Sequence, residues 1–87
     1  MPEISRFFGI IIAIFYNDHA PPHFHARYGT GHGRFNIASC SILPGSTLPP
    51  GARRLVLEWA RLHRAELMAN WQRLEQDLEL ERIDPLE

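Results

Sequence analysis

The sequence predicts an α+β fold in which a small, mainly antiparallel sheet of three or four strands precedes one long amphipathic helix. Two observations predict this order. Apolar runs separated by glycine and proline clusters occupy about residues 4–43, as in strands joined by turns. Over about residues 50–77 the apolar side chains instead recur every three or four positions, which is the period of a helix.

The predicted strands follow from local patterns. Residues 6–16 carry apolar side chains at odd and even positions, so one strand with two buried faces is expected. Residues 17–22 form a connection, because its two prolines cannot donate to a sheet ladder. A second strand is expected at about residues 23–28 and, after a glycine-rich turn, a third at 34–38. A short fourth strand around residues 41–43 would complete the sheet.

The helical stripe predicts one helix, continuous or kinked near His63. Its length of about 40 Å at 1.5 Å per residue exceeds the width of so small a sheet. The far end should therefore overhang and expose Trp71 and Leu74. In the alternative arrangement the segment folds back as two helices. Residues 78–87 are expected to form an acidic C-terminal tail.

Length and composition favour one domain that spans residues 1–87. Apolar residues make up 45% and charged residues 22%, as in ordinary globular proteins. The single cysteine excludes an internal disulfide framework, which is typical of a reducing compartment. The apolar run at residues 7–15 is shorter than the roughly 20 residues that span a bilayer. We therefore expect a cytoplasmic protein without a membrane partner.

Charge is unevenly distributed along the chain. Eight arginines against four acids give residues 1–74 a balance of +4, whereas six acids against Arg82 give residues 75–87 a balance of −5. One interpretation is a basic surface that contacts phosphate, with Arg27 and Arg34 as the anion contacts; the other is a solvated helix end and tail. No helix-turn-helix spacing is found, so nucleic acid is expected at most as an indirect partner.

The segment from Asp18 to His25 carries the most specific chemistry, because it holds three imidazoles and a carboxylate within eight residues. Strand alternation places His23 and His25 on one face, about 7 Å apart, where both can contact one divalent transition metal ion. His19 could supply a third ligand from the loop and leave a position for water, as in catalytic zinc sites. Asp18 would either accept a hydrogen bond from one of the ligand histidines or act as a fourth ligand.

Two other interpretations of this segment stay open. Asp18, His19, His23 and His25 could form a catalytic site without a metal ion. Alternatively, the histidines could donate hydrogen bonds to the backbone where the diproline interrupts the sheet, with Asp18 capping the turn. His32, between two glycines, is expected to be an exposed turn residue.

A longer pattern surrounds the histidines and resembles the bacterial family called Domain of Unknown Function 4160. The resemblance covers nearly the whole chain and rests on residues 2–10, 16–25 and 55–59, together with His63, Glu66, Leu67, Asn70 and Trp71. It implies little about activity. It does imply a small protein encoded beside a second small domain, some versions of which carry a helix-turn-helix, in an arrangement like that of toxin–antitoxin pairs. Ala26 and Arg27 depart from the usual pattern, so an arginine-based phosphate site is not implied for the family.

Two functions follow. The first is an interaction module in a toxin–antitoxin-like or regulatory pair, which forms a homodimer or binds a small protein encoded nearby. Its predicted interface residues are apolar side chains of the first strand and the helix: Phe7, Ile11, Phe15, Trp71 and Leu74. The alternative is a metal-dependent hydrolase or nuclease that uses His19, His23 and His25, with Arg27 and Arg34 contacting phosphate.

Overall fold

The computed structural model describes residues 2–87 and confirms an α+β fold with an antiparallel sheet followed by helices. The sheet has five strands in the order β1-β2-β3-β4-β5, so each strand pairs with its neighbours in sequence. The strands are β1 Glu3–Phe7, β2 Ile10–Ala13, β3 His23–Tyr28, β4 Gly31–Asn36 and β5 Ser41–Ile42. The helices are α1 Pro50–Leu62 and α2 Arg64–Glu75. Within residues 2–87, neither helix is long and apolar enough to cross a membrane.

The single first strand expected over residues 6–16 is wrong, because a hairpin turn interrupts it. Phe7 pairs with Ile10, which leaves Phe8 and Gly9 as a two-residue turn. Their φ angles of 49° and 79° are both positive, as the tight hairpin turns that match strand twist require. The turn lies inside an uninterrupted apolar run, so hydrophobic periodicity alone does not reveal it.

One face of the sheet forms the core with the helices. Phe24 of β3 stacks on Phe35 of β4, with ring centroids 5.2 Å apart and an interplanar angle of 7°. Trp59 of α1 packs against Phe24 edge-on and lies 5.3 Å from Phe7. All of these side chains are buried. Strand alternation predicts that Phe24, Ala26 and Tyr28 face the core. This is confirmed for Phe24 and Ala26, which are fully buried, and is wrong for Tyr28, which is 44% exposed at the end of β3.

The predicted long helix is divided at His63. His63 lies between α1 and α2 with a φ of −118° and a ψ of 23°, outside the helical region. The break is short, because the Leu67 N–H still donates to the His63 carbonyl oxygen over 2.9 Å. His63 Nδ1 lies 2.6 Å from a carboxylate oxygen of Glu66. The interruption therefore occurs where the kink was expected.

The expected overhang is absent from the described residues, because the chain reverses after α2. Asp77 adopts a positive φ of 56°, and the Leu78 N–H donates back to the Arg73 carbonyl oxygen over 2.8 Å. Ile83 and Leu86 of the following segment are buried in the same hydrophobic cluster as Trp71 and Leu74. The expectation that these two side chains are exposed is therefore wrong.

The C-terminal residues are held by specific hydrogen bonds and do not form a free acidic tail. The Ile83 N–H donates to the Ile4 carbonyl oxygen of β1 over 2.8 Å. Trp59 Nε1 donates to the Asp84 carbonyl oxygen over 2.8 Å. Asn70 donates to the Glu81 carbonyl oxygen and accepts the Glu81 N–H, both over 2.9 Å. Backbone polar groups of this segment are thus satisfied by residues from both halves of the chain.

Replacing Asn70 by alanine should detach this segment. The substitution removes both hydrogen bonds to Glu81 from a side chain that is only 2% exposed. We expect the free energy of unfolding to fall by about 1–3 kcal/mol, measured by chemical denaturation. Gln72→Ala, on the exposed side of the same helix, is the matched control and should have little effect. Equal stability of the two variants would contradict this account of the segment.

Candidate metal centre

The candidate site lies where the connection after β2 returns to the start of β3. Its carboxylate comes from Asp18, which is fixed by a local turn. The Asp18 N–H donates to the Phe15 carbonyl oxygen over 3.0 Å, and Asp18 Oδ2 accepts the Phe15 N–H over 3.1 Å. This reciprocal pair directs the carboxylate towards the outer face of β3.

Three potential ligand atoms converge at this point. Asp18 Oδ2 lies 3.2 Å from His25 Nε2 and 3.6 Å from His23 Nε2. One ligand atom from each residue lies within 4.8 Å of the other two. The two histidines share the outer face of β3, as the alternation predicts, and their ring centroids are 5.2 Å apart.

His23 is buried and its orientation is fixed. Its ring packs 5.4 Å from that of Trp71, and only 7% of the residue is exposed. Nδ1 lies 2.8 Å from the Pro21 carbonyl oxygen, which can only accept a hydrogen bond. Nδ1 must therefore carry a proton, and a neutral His23 directs the lone pair of Nε2 towards Asp18.

His25 is less enclosed and contacts more ionisable groups. Burial lowers the pKa of His25 below its ordinary value of 6.5, and His23 and His32 add to this effect, whereas the Asp18 carboxylate opposes it. The Phe15 ring packs edge-on against the His25 ring, with the two centroids 4.5 Å apart, and so helps to enclose it. The net lowering favours the neutral imidazole, which is the form that binds metal ions.

His32 was not expected at the site, yet it contacts His25. Its Nε2 lies 3.1 Å from His25 Nδ1, and the two rings are stacked. β4 begins at Gly31, so His32 is a strand residue that projects on the outer face, although it is exposed as expected. Counting back by twos from the inward Phe35 would have revealed this direction. Gly33 hides this alternation, because it has no side chain to mark the inner face. A side chain does not fit there, since a Cβ would lie 2.9 Å from Leu48 and from Ser46.

His19, expected as the third ligand, is exposed and does not join the group of converging atoms. Asp18 supplies the third converging atom, which was expected from His19. His19 instead lines the adjoining groove, which has a volume of about 330 Å³ and is also lined by Asp18, His23, His25 and Arg34. It is therefore placed to contact a molecule in the groove.

The two arginines expected to contact an anion lie on the same sheet face as the cluster. Arg34 of β4 is directly opposite His25, and Arg27 is two residues further along β3. Both are exposed. Arg34 donates one long hydrogen bond, of 3.4 Å, to the Pro44 carbonyl oxygen.

The predicted interface residues are divided between the interior and the surface. Phe7, Trp71 and Leu74 are at most 5% exposed and belong to the core of the chain. Ile11 and Phe15 are half-buried and line a small apolar depression on the outer sheet face. The described residues therefore leave only these two of the five available for contact with another molecule.

Residues 9–72 match the family described as Domain of unknown function (DUF4160). The chain belongs to this family. The resemblance found in the sequence is thus confirmed over residues 9–72 and not over nearly the whole chain, and the DUF4160 match contains the whole of the candidate centre from Asp18 to Arg34. No curated protein and no solved structure matches the chain. The chemistry of the site therefore has to be inferred from its own geometry.

The lowered pKa of His25 should make stability depend on pH in the metal-free protein. A histidine whose folded-state pKa is depressed contributes stability that is present above its unfolded pKa, near 6.5, and is lost as the pH falls through the folded value. We expect the free energy of unfolding to decrease below about pH 6.5, and the decrease to be smaller in His25→Gln. Denaturant titrations of the wild type and His25→Gln across this pH range, made in the presence of a chelator, measure the two free energies of unfolding. An identical pH profile for the two proteins would contradict this assignment.

Proposed function

We propose that Asp18, His23 and His25 bind one divalent transition metal ion, most suitably zinc, and that this centre hydrolyses a substrate held in the adjoining groove. One observation carries the proposal, namely the convergence of the three ligand atoms. Zinc bonds nitrogen and oxygen at about 2.0–2.2 Å, so two ligands of a tetrahedral site lie about 3.3 Å apart. The distances of 3.2 and 3.6 Å from Asp18 Oδ2 to the two Nε2 atoms are close to this value.

The placement of protons also supports a cation at this point. With the His23 proton on Nδ1, its Nε2 is an acceptor that faces a carboxylate, which is an acceptor only. Two acceptors repel each other unless a proton or a metal ion lies between them. A metal ion would satisfy Nε2 of both histidines and the Asp18 carboxylate at once.

Hydrogen bonds behind the ligands support the same assignment. Ligand histidines usually donate their second ring N–H to a neighbouring acceptor, which fixes the ring. The Pro21 carbonyl oxygen would play this part for His23, and His32 Nε2 for His25. Both imidazoles would then coordinate through Nε2, the atoms that converge on Asp18.

Three protein ligands favour a catalytic centre, because structural zinc sites usually have four. The fourth position would open to the groove, where His19 and Arg34 provide a proton donor and a fixed positive charge. A zinc ion in such a setting supplies Lewis-acid activation of water near neutral pH. This arrangement is suited to hydrolysis, with His19 protonating the leaving group.

An interaction module is the second function that we propose, as a homodimer or with a small protein partner in a toxin–antitoxin-like or regulatory pair. The supporting observation is the outer sheet face, where Ile11 and Phe15 are half-buried while Trp59 of α1 packs on the opposite face. Phe7, Trp71 and Leu74 cannot contribute while they are in the core. Light scattering over a dilution series tests the homodimer, which a constant monomer mass would exclude.

Zinc titration of untagged protein tests the first proposal. Calorimetry should find one zinc per wild-type chain and none in Asp18→Asn or His25→Gln, each of which removes a ligand. His32→Ala should weaken zinc binding by about 10–100-fold, because it removes no ligand but only the group that accepts the hydrogen bond from His25 Nδ1. His63→Ala is the control, since His63 contacts Glu66 outside the site, and should bind like wild type. Absence of zinc binding by the wild type, or unchanged binding by Asp18→Asn, would refute the metal centre.

A further inference from the structure

Trp59 of α1 packs on the sheet face that carries Phe24, and we name the opposite face, which carries His25, the open face. At the start of β3, His23 contacts Trp71 of α2, so this end of the open face is partly covered. Strand register places its side chains in two rows that cross the strands. The first row is Arg6, Ile11, Arg27 and His32. The second row is Glu3, Ala13, His25 and Arg34. Phe15 follows the second row and packs on His25, so the candidate centre lies at one end of this face.

Positive charge on the open face is only partly neutralised. Arg6 pairs with Glu3 over 2.7 Å, but within residues 2–87 no ion pair reaches Arg27 or Arg34. Six of the ten acids belong to residues 75–87, which bond to β1 and so lie away from β4. Asp18 is the one acid that lines the groove, and a bound metal ion would neutralise it. The β3–β4 side of the open face therefore fits an anion.

The spacing of the two arginines favours an extended anion. Arg34 lies opposite His25 at the groove, and Arg27 lies two residues along β3, a distance of about 7 Å. A single phosphate can contact one of these side chains, whereas a chain of phosphates can contact both. Ile11 and Phe15 form an apolar strip beside Arg27. Positive charge next to apolar and aromatic side chains is the combination that binds single strands, because bases pack on it while phosphates are neutralised.

We infer that the open face binds a single strand of nucleic acid, with one phosphodiester held by Arg34 in the groove beside Asp18, His23 and His25, and a neighbouring phosphate on Arg27. This inference deepens the proposed hydrolytic function and rests on it for the reaction. A water oxygen would form a bond to phosphorus and give up one proton to solvent, while the bond from phosphorus to one sugar oxygen breaks. The departing oxygen takes a proton, for which His19 is placed, so the products are a phosphomonoester and a free hydroxyl.

Binding is tested first without any metal ion, so that its outcome does not depend on the zinc site. The probe is a fluorescently labelled single-stranded oligonucleotide of about a dozen nucleotides, and anisotropy is measured in a chelator over a series of salt concentrations. We expect Arg27→Gln and Arg34→Gln each to weaken binding and to reduce the slope of log affinity against log salt by about 0.7, the value for one phosphate contact in a single strand. Arg53→Gln, which removes an exposed arginine from α1, is the control for net charge and should leave both quantities unchanged.

Three results would overturn the inference. The first is absence of oligonucleotide binding by the wild type, and the second is equal binding by the Arg27, Arg34 and Arg53 variants. Displacement of the oligonucleotide by polyglutamate at equal charge concentration would also overturn it, because the face would then select charge and not phosphodiesters.

Cleavage of the same oligonucleotide by zinc-loaded protein separates this inference from the proposed function. The wild type should cleave it, and Arg34→Gln should keep its zinc while KM rises. Arginine-dependent binding without cleavage would refute the hydrolase and leave the binding surface intact. Cleavage with a KM that does not change in Arg34→Gln would refute the role of Arg34.

Discussion

The packing of Phe24 between Phe35 and Trp59 is the constraint on which the rest of the structure depends. These three rings fix the inner face of β3, and the two-residue period of a strand then directs His23 and His25 outward. A register slip of one residue would turn both imidazoles towards the inner face and expose Phe24. The hydrophobic core and the candidate metal centre are therefore two faces of the same six-residue strand.

The site combines groups that a stable interior would normally keep apart. His23 is nearly as buried as the core residues, yet its Nε2 faces a carboxylate. The Phe15 N–H and the Pro21 carbonyl oxygen hold Asp18 and His23 in this arrangement without a cation. Ligands held in place before binding lose little conformational freedom when the ion arrives, which favours affinity. Such local conflict between packing and polar groups is typical of functional sites.

Local sequence patterns predicted the parts of the fold that depend on local spacing. The alternation of Phe24 and Ala26 with the histidines, and the interruption near His63, follow from the periods of strand and helix. The Phe8–Gly9 turn was not predicted, because the residues on both sides of it are apolar. The return of the C-terminal residues depends on Asn70 and Glu81, eleven residues apart, which no periodic pattern connects. The same limit applies to the site. Asp18, and not His19, joins the histidines because a turn hydrogen bond with Phe15 holds its carboxylate there, and strand pairing brings His32 next to His25.

The central claim is that one metal ion lies between Asp18, His23 and His25. The most direct measurement is a crystal structure of untagged, zinc-loaded protein with anomalous diffraction at the zinc edge. The account predicts one anomalous peak within bonding distance of Nε2 of both histidines and of an Asp18 carboxylate oxygen, at about 2.0–2.2 Å. A zinc-loaded crystal with no anomalous peak at these three side chains, or with the peak elsewhere on the surface, would contradict it.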